Sequence, residues 1–499
     1  MPLFKVDSVH NINVNIGDKL YKDLKVQKIN QSSTIEATKQ KNVFIAMVWQ
    51  IICNFAHHFV LTMKEVALHK VKFVTLGCKL NFSESATIGQ QLRERGVATT
   101  VKGDDECPDI CVVNTCSVTA LADRKCRQSI RNLIRRYPDA LVVVTGCYAQ
   151  LQGKNIAEIP GVDIVLGNEQ KGEVVDYIEQ WLSNKRDTLA VTPHKDIRRF
   201  SPSCECGDRT RYFLKVQDGC DYYCSYCTIP LARGRSRSGT IASLVEQAQD
   251  VARRGGKEIV ITGVNIGDFG KNTGEHFLDL LKALDSVEGI ERYRISSIEP
   301  DLLDDEVIDW CATSRAFMPH FHIPLQCGND EVLRLMRRHY TRDLFATKVE
   351  HIHRVIPHAF IGVDVMVGTR GETPEYFDDS LQFIASLGVQ HLHVFPYSER
   401  PGTQALRIPY IVPKAERDAR VARMMELSDR RQREFVERYL GTERPVLFEQ
   451  PPAGSDVMHG FTDNYIRVNA PYRKHLVNTV VPVLLGNTIN DDLSVDINN

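Results

Sequence analysis

The chain has 499 residues, 43% of them hydrophobic, which supports roughly two to four domains with packed cores. Lys+Arg 62 stands against Asp+Glu 63, a net charge of −1, so bulk charge excludes a generally basic nucleic-acid binder and leaves any polyanion contact to local patches. Cys 14 without a recognisable cleavable signal peptide argues against a secreted disulfide framework and for a cytoplasmic protein with thiols free for metal.

Residues 1–62 show little period, and Gln27 to Asn42 is polar. They read as a disordered extension of unknown role, or as sequence upstream of a start at Met63. The apolar segment Val43 to Met63 is broken by Gln50, Asn54, His57 and His58, so no membrane span is expected.

Residues 68–184 alternate β-branched runs with amphipathic stretches, which predicts an α/β domain with a parallel sheet. Val74-Thr-Leu-Gly-Cys78, Val112-Val-Asn-Thr-Cys116 and Val143-Val-Thr-Gly-Cys147 each place a thiol just beyond a predicted strand. A single such cysteine is by default a small buried apolar residue. Three in the same topological position predict convergence on the ligand-binding edge of the sheet and a metal centre there. Cys107, Cys111 and Cys126 do not share the position and read as structural. Arg124, Arg127, Arg131 and Arg135 fall on one helical face, which is either a solvated stripe or a phosphate contact.

Residues 185–209 are polar and read as a linker, with Cys204 and Cys206 unligated. Residues 210–436 predict six β/α units, with strands near 211–216, 258–262, 291–296, 320–323, 360–366 and 390–395, hence a partial, open (β/α)6 barrel. Directly after the first strand comes Cys220-Asp-Tyr-Tyr-Cys224-Ser-Tyr-Cys227. Three soft ligands at this spacing can face one centre and leave it an open position; the alternatives are a zinc knuckle completed by Cys204 and Cys206, or free thiols by chance. The same rim holds Thr262-Gly263-Val-Asn265, Ser296-Ser-Ile-Glu299 and the Gln326 loop, small and polar groups suited to an amino acid and ribose. Arg233, Arg235 and Arg237 follow the thiol loop and are candidates to steer an anion toward the mouth. A charge-rich helix is expected from Pro413 to Tyr439. Residues 437–499 predict a small β-barrel of about five strands with an acidic tail.

Thr75-Leu-Gly-Cys-Lys-Leu-Asn81, Val113-Asn-Thr-Cys116-Ser-Val-Thr119, Val144-Thr-Gly-Cys147-Tyr-Ala-Gln150 and Gly219-Cys220-Asp-Tyr-Tyr-Cys224-Ser-Tyr-Cys227-Thr-Ile-Pro230 resemble the radical S-adenosylmethionine methylthiotransferases from about residue 68 onward. Gly-Cys-Lys-Leu-Asn81 and Leu231-Ala-Arg-Gly-Arg-Ser-Arg237 are most similar to the branch acting on threonylcarbamoyladenosine beside the tRNA anticodon. The resemblance implies an amino-terminal methylthiotransferase domain, a radical core and a carboxyl-terminal TRAM barrel. It implies that Cys220, Cys224 and Cys227 hold a [4Fe-4S] cluster that splits S-adenosylmethionine into methionine and a 5′-deoxyadenosyl radical. Cys78, Cys116 and Cys147 would hold a second [4Fe-4S] cluster whose open iron carries the sulfur, and a methylthio group would replace the hydrogen at carbon 2 of the adenine. Tyr226 joins Thr262, Gly263, Asn265, Ser296, Glu299 and Gln326 as expected cosubstrate contacts. The implied partners are tRNA, a flavodoxin or ferredoxin as electron donor, and a sulfur donor. Rival readings are methylthiolation of isopentenyladenosine or of a ribosomal-protein aspartate, and a non-catalytic, zinc-stabilised RNA-binding protein. Two features depart from the family. Leu440 to Asn499 carries four Lys/Arg against seven Asp/Glu, not a basic RNA surface, and Thr369-Arg370 stands where Phe-Pro is expected.

Overall fold

The computed structural model describes residues 68–101, 106–204, 210–452, 454–489 and 492–496. The expectations for residues 1–62 and for Cys206 lie outside the described residues. In the first part of the chain, β1 (His69–Thr75), β2 (Ala98–Thr100), β3 (Ile110–Thr115), β4 (Leu141–Gly146), β5 (Ile164–Leu166) and β6 (Thr188–Ala190) form one parallel sheet in the order β2-β1-β3-β4-β5-β6. Because β3, β4 and β5 are buried throughout, they read as unbroken apolar runs rather than alternating ones. Helices α1 (Lys79–Glu94), α2 (Ala120–Arg136), α3 (Cys147–Ala157) and α4 (Val174–Asn184) complete two apolar clusters built from alternate strand residues. The strand order reverses between β1 and β3, and the carboxyl-end crevice at such a reversal is where α/β sheets bind ligands.

The expected linker at 185–209 is corrected in part. Thr188–Ala190 is the edge strand of the first sheet, and β7 (Ser203–Cys204) pairs antiparallel with β8 (Arg211–Lys215). Strands of three and two residues are too short to show a hydropathy period. Cys204 is buried in the largest apolar cluster among the described residues, as a core residue.

Downstream, β9 (Gln217–Asp218) and β10 (Arg237–Ser238) pair into an antiparallel ribbon that closes the base of the thiol loop. The strands β11 (Glu258–Thr262), β12 (Arg292–Ile295), β13 (His320–Gln326), β14 (Phe360–Val367) and β15 (His391–Pro396) match the expected positions. β8, β11 and β12 pair in parallel, as do β13, β14 and β15, and parallel bridges from Tyr293 to Phe317 and from Ser297 to His322 join the two sets. Ile259, Ile261, Phe321, Ile323 and Ile361 pack into the apolar cluster; the alternate positions, including Lys215, Glu258, Arg294 and Asp364, bear polar groups on the other face.

After the 24-residue helix Lys414–Glu437, β16 (Glu443–Phe448), β17 (Val457–Thr462), β18 (Arg467–Pro471), β20 (Asp492–Asp496) and β19 (Val480–Ile489) pair in that order, with β19 returning to β16. This unit docks at the amino ends of the six parallel strands. Arg292 donates to the carbonyls of Phe461 and Pro445 at 2.9 and 2.8 Å, Arg294 donates to those of Asp463 and Thr462 at 2.9 and 2.8 Å, and Tyr465 packs on His320 with ring centroids 4.1 Å apart. The carboxyl-end mouth, where the thiol loop lies, is left to the first sheet.

Candidate functional site

Cys78 is the N-cap of α1, Cys147 opens α3, and Cys116 follows β3 just before Thr119, whose hydroxyl caps α2 by accepting from the Ala122 amide at 3.0 Å. Two glycines let these strand ends approach. Gly77 has φ +112, and a Cβ there would lie 2.6 Å from Cys116 Cβ and 2.9 Å from its Sγ; Gly146 has φ +100, and a Cβ would lie 2.4 Å from the Thr115 carbonyl oxygen. Asn81 ties the loops together by donating to the carbonyls of Leu76 and Thr115 at 2.6 and 3.1 Å. Burial, reinforced by the neighbouring Cys147 and Cys78 sulfurs, pushes the Cys116 thiol up to about 12. The three cysteines thus follow the neighbouring strands β1, β3 and β4, with the Cys116 side chain packed against Gly77.

The Cys220–Cys227 loop emerges from the β9–β10 ribbon. Backbone N–H groups of Tyr222 and Ile229 face the sulfurs of Cys220 and Cys227 at 3.5 and 3.4 Å, and Arg338 donates to Cys224 Sγ at 3.1 Å. Burial raises all three thiols, Cys227 to about 12. Buried thiols of this kind lose their protons when a metal takes the place of the charge that water would have stabilised, and three N–H donors aimed at sulfur suit thiolate ligands. Among the described residues no three His, Cys, Asp or Glu side chains are drawn together as one bare ion would need.

The two loops meet. Thr228, next to Cys227, donates from its hydroxyl to the carbonyl of Ser117, next to Cys116, at 3.4 Å. Arg400 spans the same junction with bonds to Ser117 Oγ at 2.9 Å and Asp123 Oδ2 at 2.7 Å, and the Ala120 amide donates to Ser398 Oγ at 3.1 Å.

Of the expected cosubstrate contacts, Asn265 has the most open chemistry. It is 2% exposed, yet neither its amide nitrogen nor its oxygen has a hydrogen-bond partner, while its backbone is held by Gln217 Oε1 at 2.8 Å. A buried polar group in that state keeps hydrogen-bonding capacity for a group placed beside it. Gly263 has no room for a side chain, since a Cβ would lie 2.6 Å from Ile266. Gln326 sits at φ +64 at the end of β13, a strained conformation for this residue type. Ser296 is buried at the end of β12, and Thr262 spends its hydroxyl on the Val260 carbonyl at 3.2 Å. Glu299 is paired with Arg338, and burial still pushes its carboxyl up to about 7. Tyr226 is half-buried, with Oη 3.5 Å from Arg338.

Arg338 was not legible in the sequence, where Arg337-Arg338 resembles a solvated turn. Its side chain is 2% exposed and joins Cys224, Glu299 and the Tyr340 hydroxyl, the last at 3.1 Å, so it clamps the thiol loop to the rim. Tyr222, stacked on His339 and bonded to Asp301 at 2.5 Å, is a second support without a sequence signal.

The arginines divide. On α2, Arg124, Arg131 and Arg135 are exposed, and Arg127 is half-buried and donates to Tyr148 Oη at 2.8 Å. Arg235 is exposed. Arg233 and Arg237 are corrected: at 1% and 5% exposure they are ion-paired to Glu84 and Asp218 inside the molecule and offer nothing to a polyanion. Their short Arg-Gly-Arg-Ser-Arg spacing is the same for a solvated loop and a buried one. Arg370, at the unexpected Thr369-Arg370, pairs with Glu399 at 2.7 Å and donates to the carbonyls of Leu406 and Ile408, which makes it a brace between two rim loops.

Residues 70–167 match the family described as uncharacterized protein family UPF0004, and residues 214–384 match the radical SAM superfamily. The threonylcarbamoyladenosine tRNA methylthiotransferase MtaB of Bacillus subtilis is 38% identical over 83% of this chain and 93% of its own length. The chain belongs to the radical S-adenosylmethionine tRNA methylthiotransferases. The namesake protein of Aquifex aeolicus is 34% identical over 83% of this chain and all of its own length. The tRNA-2-methylthio-N(6)-dimethylallyladenosine synthase of Syntrophotalea carbinolica is 31% identical over 82% and 95%. A solved structure of the radical methyltransferase TsrM from Kitasatospora setae, with a [4Fe-4S] cluster bound, shares the fold, with TM-score 0.52 and 17% identity over 68% of this chain and 77% of that one. Radical methylthiotransferases are enzymes that work with S-adenosylmethionine and iron–sulfur chemistry. No helix among the described residues is long and apolar enough to cross a membrane.

Proposed function

We propose that this methylthiotransferase inserts a methylthio group at carbon 2 of N6-threonylcarbamoyladenosine beside the tRNA anticodon, using two [4Fe-4S] clusters. The observation that carries the reading is the hydrogen-bonded junction of two thiol trios, through Thr228 and Ser117, at one mouth. Identity reaches 38% with a threonylcarbamoyladenosine relative, against 31% with the dimethylallyladenosine synthase of Syntrophotalea carbinolica, which supports the substrate. On this reading residues 68–184 are the methylthiotransferase domain, 210–436 a partial (β/α)6 radical barrel and 437–499 a TRAM barrel.

Cys220, Cys224 and Cys227 would hold a cluster whose chemistry is electron delivery to S-adenosylmethionine, which the reaction needs because acid–base groups cannot remove an unactivated ring hydrogen. Arg338 orients Cys224 and Glu299, Asn265 offers unspent amide atoms to the cosubstrate, and Gly263 lets backbone approach it. Cys78, Cys116 and Cys147 would hold the second cluster, the one that supplies the sulfur. Exposed Arg124, Arg131 and Arg135 on α2, which starts at the Cys116 loop, supply phosphate contacts. The acidic TRAM unit is docked at the far end of the strands, so it does not form the mouth. The setting is cytoplasmic, with a flavodoxin or ferredoxin as electron donor and a separate sulfur donor.

Mass spectrometry of tRNA nucleosides from a strain lacking this chain tests reaction and substrate together. Loss of the methylthio form of threonylcarbamoyladenosine supports the reading; loss of the isopentenyl counterpart, or an altered ribosomal-protein aspartate, replaces its substrate. Reconstitution with zinc and no iron refutes it.

A further inference from the structure

The joint between the two sheets is a closed set of six charges: Glu84 on α1, Lys171 after β5, Lys215 at the end of β8, Asp218 in β9, Arg233 in α5 (Ile229–Arg233) and Arg237 in β10. Glu84 meets Lys171 at 2.6 Å, Lys215 at 3.0 Å and Arg233 at 3.0 Å; Asp218 meets Lys215 at 2.8 Å, Arg233 at 3.0 Å and Arg237 at 3.1 Å. No member is more than 5% exposed. Four basic side chains against two carboxylates leave a formal excess of two positive charges in a buried joint. A buried excess of that kind is strongly unfavourable unless an anion stands beside it.

The geometry says where that anion belongs. Arg233 Nη2 donates to Asn81 Oδ1 at 2.8 Å, and the same Asn81 amide grips the carbonyls of Leu76 and Thr115, which lead into Cys78 and Cys116. Burial lowers Lys171 from its ordinary value, and the nearby Cys147 sulfur opposes that, as it does for Arg233. A metal cluster ligated by three thiolates is an anionic group, and its reduction potential follows the charge around it.

We infer that this buried set is the counter-charge of the group seated on Cys78, Cys116 and Cys147, and that Glu84 and Lys171 set the reduction potential of that group through their field. They are positioning residues, since neither touches a reacting atom. The inference rests on the proposed second cluster.

The test uses the full chain with Cys220, Cys224 and Cys227 replaced by alanine, reconstituted anaerobically so that only the first site loads. Iron content and a potential titration followed by electron paramagnetic resonance are read for that parent and for added Lys171→Met, Glu84→Gln, Lys171→Arg and Arg294→Met. The parent is expected to hold about four irons. Lys171→Met should shift the midpoint to lower potential and Glu84→Gln to higher, while Lys171→Arg and the distant Arg294→Met leave it in place. Because one variant removes a cation and the other an anion, opposite shifts cannot arise from a common loss of packing, and a variant that fails to fold leaves Lys215→Met to ask the same question from β8. Unchanged midpoints at full iron overturn the inference and leave the second cluster standing. A parent that takes up no iron overturns the second cluster and the inference with it.

Discussion

Gly77→Ala is the sharpest test of the first thiol trio. The added methyl would start 2.6 Å from Cys116 Cβ and 2.9 Å from its Sγ, whereas carbon atoms in contact stand about 3.5–4.0 Å apart, so one side must yield by about 1 Å. Metal ligands keep their distances within about 0.2 Å, which puts that displacement well outside what a cluster tolerates. The φ of +112 adds about 1–2 kcal/mol for any L side chain, and the overpacking adds about 1–3 kcal/mol, for a loss of about 2–5 kcal/mol. Gly255→Ala is the control, because Gly255 has φ +81 and nothing within 4 Å of the new Cβ, leaving the backbone contribution alone. Denaturant unfolding should show Gly77→Ala as the less stable by at least about 1 kcal/mol, and iron analysis after reconstitution should give it roughly half the iron of the unaltered chain. Equal stability losses in the two variants, with full iron in Gly77→Ala, would refute the argument that Gly77 is there to admit Cys116.

Arg338→Met strands buried Glu299 without its cation and removes a donor from Cys224, so it should lose about 3–5 kcal/mol and bind the loop cluster poorly; calorimetry and iron content showing no change would count against the clamp. Glu299 carries a folded value of about 7 against an ordinary 4.5, so its protonated form contributes stability that is complete below 4.5 and lost as pH rises through about 7, roughly 3 kcal/mol in all. Glu299→Gln should therefore flatten the fall of the unfolding midpoint between about pH 5 and 8, and parallel curves for the two proteins would contradict the assignment. Replacing Arg124, Arg131 and Arg135 by alanine should weaken tRNA binding and reduce the log–log salt slope by about 0.7–0.9 for each lost phosphate contact, as read by anisotropy across salt concentrations; an unaltered slope would return α2 to the status of a solvated face.

The cysteines were legible because their signal is local. A β-branched run ending in a thiol declares both the strand and the edge at which the thiol emerges, and the rise of Cys78, Cys116 and Cys147 from β1, β3 and β4 follows from period alone. The six strands of the second part were legible for the same reason. Short strands such as Thr188–Ala190 and Ser203–Cys204 were not, since two or three residues carry no period and owe their conformation to the sheets they join.

The chain order of residues therefore determined the elements, the two thiol trios and the family, all of which rest on patterns within a few dozen residues. Only the tertiary structure decided which charges are buried and with what they pair. Arg233 reads as a surface arginine until Glu84, 149 residues earlier, is folded against it, and Arg338 has no visible role until it reaches Cys224, 114 residues away. Charge on a side chain is a property of sequence, but whether it meets water, a carboxylate or a sulfur depends on burial and on partners that lie far along the chain.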